Sequence, residues 1–364
     1  MSGKRDVIRR IRPFAQLGDA DCDALLALVK ARRGKAGDVL LAEGDTSTSL
    51  LVIAEGHLAV RVRGGDGSLV EVASLGPGEV VGEMAALDPA PRNATVLARA
   101  STLVIELTRE AIAQLKRDAP FAAAALHRAI VGDLARRLRE VNARIEAQLD
   151  GASARAPRLS MAHPPASRAR SGSTLTAQQL RAQPALRDYA DPDLELLARA
   201  TALRAFGPKE VLFEEGTVGD SCFLVLQGEV DVIRKHHDKV RILASLKPGA
   251  LVGQLALIDH APRSASVVAC APTYALELGH EMFDRLLQAH SPMALRFQEQ
   301  IAIAGVRQLR SATARLVALM EQRNDADAYL HGTQPGSGSD DWDAPFDAGD
   351  AVLELAVDPK SLRR

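Results

Sequence analysis

No charge of one sign dominates this chain: 45 lysines and arginines stand against 46 aspartates and glutamates, a formal net charge of -1 over 364 residues. That balance removes the global basic bias expected of a general nucleic-acid or membrane-surface binder. Cysteine is scarce as well. Cys22, Cys222 and Cys270 are widely scattered, so they supply neither metal-ligand spacing nor the four thiolates of an iron–sulfur cluster. Free thiols in a reducing compartment are the simplest reading. No apolar run approaches the length of a membrane span, and no apolar signal core follows the basic stretch from Met1 to Arg12. These absences predict a cytoplasmic protein with no membrane partner. Catalytic motifs are missing too. His127, His260 and His290 stand apart from any recognisable nucleophile, and His236-His237 falls in a turn, so all read as surface or packing residues. The expectation is a protein that is not an enzyme and holds no metal.

What the chain does contain is a stretch written twice. Val81-Gly82-Glu83-Met84-Ala85-Ala86-Leu87, then Pro91-Arg92-Asn93-Ala94-Thr95-Val96, returns as Val252-Gly253-Gln254-Leu255-Ala256-Leu257-Ile258, then Pro262-Arg263-Ser264-Ala265-Ser266-Val267. The similarity extends outward: Glu43-Gly44 matches Glu215-Gly216, Gly56 matches Gly228, and Ala73–Gly78 matches Ala244–Gly249, at an offset of 171 or 172 throughout. Two copies of one fold follow, each with room for its own core. The offset changes once, where the turn Gly64-Gly65-Asp66-Gly67 stands against the shorter His236-His237-Asp238. A hairpin tip is where a β fold tolerates such a change.

Within each copy, short apolar segments (Val39–Leu41, Leu50–Ala54 and Leu58–Val62; Val211–Phe213, Phe223–Leu226 and Val230–Ile233) are separated by glycine-containing turns. Many short strands with close turns read as a sandwich or barrel, with Gly56 and Gly228 as turns of positive φ. The period then becomes helical: Leu134, Leu138, Val141 and Ile145 recur at alternating four and three, as do Ala302, Gly305, Leu309, Ala312, Leu316 and Leu319. Such a helix either packs on its own barrel or forms a parallel seam in a homodimer.

The duplicated stretch has the chemistry of a cradle for a small phosphate. In each copy an acidic or amide side chain precedes an arginine by nine residues, with small residues between. Glycine lets the backbone approach closely, the arginine supplies a permanently charged planar fork, and a carboxylate accepts from a sugar hydroxyl. These residues resemble the phosphate-binding cassette of the cyclic-nucleotide-binding domain family, which includes the catabolite activator protein and the regulatory subunits of cyclic-AMP-dependent protein kinase. The resemblance covers the Gly-Glu-x-Ala start, the step to arginine, the preceding proline and the Ala-Thr-Val that follows. It implies a mainly β protein with flanking α: two double-stranded β-helix (jelly-roll-like) barrels, each followed by a long terminal helix that closes over the nucleotide base and transmits binding. The cofactor is then none, and the ligand is a cyclic nucleotide, cAMP or cGMP.

On that reading the first site comprises Gly82, Glu83, Met84, Ala85, Arg92, Asn93 and Ala94: Arg92 pairs with the phosphate, Glu83 accepts from the ribose 2′-OH, and backbone N–H groups face the phosphate. The alternative is a Glu83–Arg92 salt bridge in an empty pocket. The second comprises Gly253, Gln254, Leu255, Ala256, Arg263, Ser264 and Ala265. There Gln254 replaces the acid and accepts without charge assistance, so the second barrel either binds nucleotide more weakly or is a scaffold. Asn142 in the first copy and Thr313 in the second, polar breaks beside the apolar seam, are candidates to cap the base; each also fits a solvent-facing role.

Residues 1–150 are expected to form the first binding domain, 151–174 a basic flexible linker with Arg155, Arg158, Arg168 and Arg170, 175–323 the second domain, and 324–364 an acidic, largely disordered tail with seven aspartates before residue 351. Ala351–Leu355 reads as a partner-binding segment or a terminal strand. No recognition helix is visible, and an acidic tail repels DNA phosphates, so direct DNA binding is not expected. Arg9-Arg10-Ile11-Arg12 is the nearest match to a kinase-inhibitor sequence, against a solvated helix face; Arg168–Ser171 resembles a phosphorylation site. High alanine and arginine usage fits a bacterial source. The reading is a cyclic-nucleotide sensor, cAMP first, acting on an unidentified protein partner. Its competitors are a scaffold and a transcription regulator lacking its own DNA reader.

Overall fold

The turns and short apolar runs of each repeat become two facing antiparallel sheets in a computed structural model of the chain, which describes residues 2–65, 67–151, 170–171, 175–183, 186, 190–236 and 239–330. In the first repeat the strands are β1 (Lys30–Gly34), β2 (Val39–Leu41), β3 (Leu50–Glu55), β4 (Leu58–Arg63), β5 (Leu69–Leu75), β6 (Val80–Val81), β7 (Thr95–Ala98) and β8 (Thr102–Leu107). They pair in the orders β1-β8-β3-β6 and β2-β7-β4-β5. The second repeat has β9 (Arg170–Ser171), β10 (Ala202–Phe206), β11 (Val211–Phe213), β12 (Ser221–Gln227), β13 (Val230–His236), β14 (Lys239–Leu246), β15 (Leu251–Val252), β16 (Ser266–Ala269) and β17 (Thr273–Gly279). Its sheets, β15-β12-β17-β10-β9 and β11-β16-β13-β14, repeat the first topology with one added edge strand. That edge strand lies inside the segment expected to be linker, and pairs through Arg204↔Ser171.

β3 explains the layering. Its run Leu50-Leu51-Val52-Ile53 is apolar without a break because both faces are buried. Leu51 and Ile53 point into the barrel with Leu58, Val81, Val96 and Val104, while Leu50 and Val52 point outward to the helices with Phe14, Leu107 and Leu126. Phe223 and Val225 on β12 repeat the inward set. Gly56 and Gly228 turn the chain at φ 87 and 92. A Cβ at either would come within 2.6 Å of backbone or threonine atoms across the turn, so glycine is required there for space as well as for conformation.

The helices are α1 (Ser2–Arg10), α2 (Asp19–Leu28), α3 (Glu83–Leu87), α4 (Arg109–Asp118) and α5 (Pro120–Gly151) in the first repeat, and α6 (Ala177–Arg181), α7 (Asp191–Ala200), α8 (Gln254–Asp259), α9 (His280–Gln288) and α10 (Pro292–Leu330) in the second. The arginine-rich N-terminal stretch is folded into this layer: Ile11 is buried, and Arg9 bonds Leu17 O at 2.9 Å and Asp19. α10 runs to Leu330, past the boundary expected at 323. The linker arginines Arg155, Arg158 and Arg168, and the tail from residue 331, lie outside the described residues.

The apolar stripes of α5 and α10 were expected to pack on their own barrels or to join two copies of the chain. They pair with each other, in an apolar cluster that also takes in outward-facing strand residues such as Leu50, Val52 and Leu276. Leu134 meets Gly305, where an added Cβ would stand 3.3 Å from the leucine Cδ1, and further along Arg144 reaches Met320 Sδ at 3.9 Å. Both helices advance in the same direction along the seam, so they are parallel. Leu134, Leu138, Val141, Ile145, Ala302, Leu309 and Leu316 are all buried in one apolar cluster spanning both repeats. A tandem chain carries both halves of such a seam, and satisfying them internally buries the stripe without a second molecule. Among the described residues no helix is long and apolar enough to cross a membrane.

Candidate functional site

Each cassette begins where a short strand turns into a helix through a left-handed glycine. Gly82 has φ 83, and a Cβ on it would come within 2.8 Å of Arg92 Nη1. The missing side chain is what admits the guanidinium. Arg92, only 5% exposed, donates to Gly82 O at 2.9 Å, to Ser49 O at 2.5 Å and to Ser47 Oγ at 3.1 and 3.3 Å. Burial pushes its pKa down, while the carboxylates of Asp45 and Glu83 act the other way.

Glu83 is 2% exposed and pairs with Arg137 of α5, Nη1 to Oε1 at 3.0 Å, rather than with Arg92. Its Oε2 is buried without a partner. A carboxylate held by a fixed donor at one oxygen and free at the other can accept a hydrogen bond from a ligand hydroxyl. Arg137 also donates to Val80 O, and Asp133, 3.8 Å from Arg137, accepts from Val80 N at 2.8 Å. Burial raises the Asp133 carboxyl pKa, opposed by the Arg137 cation.

The second cassette keeps this skeleton with different chemistry. Gly253 has φ 83, and Arg263, 4% exposed, donates to Gly253 O and Ser221 O, both at 2.6 Å. Gly219 stands at the place of Ser47, and Phe213 at that of Leu41; the guanidinium lies 4.2 Å from the Phe213 ring centroid. A cation–π contact thus takes the place of hydroxyl hydrogen bonds, and Arg263 Nε is buried without a partner. Burial pushes this arginine's pKa down as well. Gln254, 3% exposed, donates to Gln308 Oε1 at 2.8 Å, and Gln308 donates to Leu251 O at 2.6 Å.

All seven residues expected in each site line one cavity in their own repeat. The walls are shared between the repeats. Besides its own barrel and Arg137, Glu140 and Val141 of α5, the first cavity is lined by Leu309 and Thr313 of α10. The second has Gln308, Ser311 and Ala312 of α10, together with Leu138 and Asn142 of α5. The two polar breaks expected to cap their own bases are therefore exchanged: Asn142 stands in the second cavity and Thr313 in the first. Adjacent helical residues are about 100° apart, so with the helices side by side Val141 faces its own cavity and Asn142 the neighbour's. Ion pairs repeat the crossing. Asp88, which follows α3, pairs with Arg310 at 3.3 Å and Arg307 at 3.4 Å; Asp259, closing α8, pairs with Arg139 at 2.9 Å.

Arg137 and Gln308 were not singled out from sequence. The signal existed, because Arg137 precedes Gln308 by the same 171 that separates Glu83 from Gln254. One offset links an ionic pair to an amide pair.

The model of the cyclic nucleotide-binding domain matches residues 31–118 and 203–290. A cAMP-dependent protein kinase regulatory subunit of Yarrowia lipolytica is 26% identical over 274 residues, covering 75% of this chain and 58% of its own length. The cyclic AMP receptor protein of Thermus thermophilus is 32% identical over 148 residues, 40% of this chain and 67% of that protein. Among solved structures, the regulatory domain of Toxoplasma gondii PKA with cAMP is matched at 21% identity and a TM-score of 0.29, over 80% of this chain and 94% of that one. The chain spans little more than half the length of the kinase regulatory subunits it matches. By the family model over both repeats, the Thermus thermophilus relative and the repeated cassette, the chain belongs to the cyclic nucleotide-binding domain family and carries two such domains in tandem.

Proposed function

We propose that this chain is a regulatory sensor of cyclic mononucleotides, cAMP foremost, with a site in each domain and signalling by the terminal helices to a protein partner. The observation that carries this reading is the first cavity, where a buried arginine and the free Oε2 of a buried glutamate face one space closed by both long helices. Arg92 is held by backbone carbonyls that leave its charge uncompensated at contact distance, so an anionic phosphate is the natural counter-group. Glu83 accepts from a sugar hydroxyl, and the backbone N–H groups near Met84, Ala85, Asn93 and Ala94 complete the phosphate cradle. Arg263 and Gln254 do the same in the second cavity with less charge. A base reaching α5 and α10 contacts both domains at once, and it moves the helices by as much as its affinity differs between their positions. The role is regulatory, without catalysis, in the cytoplasm; the relatives named for kinase regulation make a kinase one class of partner.

Calorimetric titration of the chain with cAMP, cGMP and cyclic di-GMP, repeated on Arg92→Ala and Arg263→Ala, tests the reading. One mononucleotide binding at two sites, each weakened by its own substitution, is the expected result. Absence of heat with every ligand, in folded protein shown free of co-purified nucleotide, would leave a scaffold.

A further inference from the structure

We propose that Gln308 is a positioning residue that fixes Gln254 as an uncharged reader of a ligand hydroxyl in the second cavity. This rests on the nucleotide reading of that cavity and concerns how the site works without its acid. A glutamine amide can turn either its oxygen or its NH2 group toward a ligand, so Gln254 alone specifies nothing. A backbone group settles the choice. Leu251 O is only an acceptor, and Gln308 must offer it Nε2, at 2.6 Å. That leaves Gln308 Oε1 facing Gln254, which must answer with its own Nε2, at 2.8 Å. The Gln254 oxygen is then left over as an acceptor, the same polarity that Glu83 Oε2 presents in the first cavity.

The replacement of charge is also complete. The buried trio Glu83, Asp133 and Arg137 has as counterparts, 171 residues on, Gln254, Ala304 and Gln308, none of them ionised. Losing one member of an ion pair leaves a buried unpaired charge, which is strongly destabilising. Here both partners change, and the contact to the carbonyl is kept: Arg137 bonds Val80 O, and Gln308 bonds the equivalent Leu251 O. The amide pair therefore keeps both the contact between cassette and helix and the contact to the backbone carbonyl that the ionic pair makes.

The test uses the full chain with Arg92→Ala, so that the second site dominates, and compares cAMP with 2′-deoxy-cAMP by calorimetry. The deoxy analogue is expected to bind roughly three- to tenfold more weakly, the loss of one neutral hydrogen bond. Gln308→Leu frees Gln254 to turn, and the difference should shrink below about twofold. Gln254→Glu alone should weaken binding, because a carboxylate then faces Gln308 Oε1; Gln254→Glu with Gln308→Arg should restore it and widen the preference for the 2′-OH. If Gln308→Leu abolishes the site, recovery in the double variant supports the relay and failure to recover overturns it. Binding at the first site, measured with Arg92 intact, reports that each variant is folded. Equal affinity for the two nucleotides in the starting protein, an unchanged ratio in Gln308→Leu, or tighter binding by Gln254→Glu alone would each overturn the inference. Heat from the first site with none from the second overturns it too and leaves the first-site reading standing; silence at both sites instead removes the proposed function.

Discussion

The two cavities have one backbone and two electrostatic designs. In the first, Glu83, Asp133 and Arg137 form a buried ionic cluster behind Arg92; in the second, two glutamines take over its geometry and Phe213 lies under the arginine. The difference teaches that the cassette is a geometric device first. What must persist is a glycine that admits a guanidinium, carbonyls that hold it, and an acceptor presented by a partner on the terminal helix. Ionic pairing is one of two ways to fix that acceptor.

Removing the helix partner should expose the difference most sharply. Arg137→Leu leaves Glu83 buried and unpaired, and urea unfolding should lose about 3–5 kcal/mol, whereas Gln308→Leu leaves a neutral amide and should lose only about 1–3 kcal/mol. Equal losses would mean that the ionic cluster is not what separates the sites.

Next in size is a pH effect at another mismatched pair on the seam, His127 and its counterpart Gln298, both fully buried. Burial holds the His127 pKa down at about 4, with Glu299 pulling up and Lys116 pushing further down. The folded state keeps it neutral while the unfolded chain protonates near 6.5, so its contribution is complete above that pH and is lost as pH falls toward about 4. The loss amounts to up to about 3 kcal/mol. His127→Gln, which copies the other half, should flatten the unfolding midpoint across that window; an unchanged pH dependence would place the effect elsewhere.

Arg92→Ala removes charge-assisted bonds worth about 1.5–3 kcal/mol, so first-site affinity should fall tenfold to a few hundredfold with the second site little changed. The mildest changes concern the crossed ion pairs. Asp88→Ala and Arg139→Ala should each shift unfolding by less than about 1 kcal/mol, and the shift should shrink in high salt. An effect several times larger in either would break the symmetry of the seam.

The strands and cassettes were legible because they are local. The run from Leu50 to Ala54 reads directly as a short strand, found at Leu50–Glu55, and glycine at 56 and 228 announces a turn whatever lies around it. Arg137 was not legible. It sits among Arg136, Arg139 and Arg144 on one helix, and periodicity marks apolar faces without saying which of several arginines turns inward to a carboxylate. Asn142 and Thr313 were visible as interruptions of a stripe, yet the cavity each serves depends on what stands across the helix pair.

By itself the sequence determined two barrels of one topology, the cassette residues that line a cavity in each, and the presence of an apolar stripe on each terminal helix. Those features follow from backbone periodicity and short spacings, which act over a few residues wherever the segment lies. Only the tertiary structure decided that the stripes meet within one chain, and hence that each cavity is closed by a helix from the other domain. An apolar stripe specifies burial and no particular partner, because the hydrophobic effect is non-directional. The choice falls to packing: Gly305 leaves room for Leu134, and the pairs of Asp88 with Arg310 and of Asp259 with Arg139 join the halves across the seam.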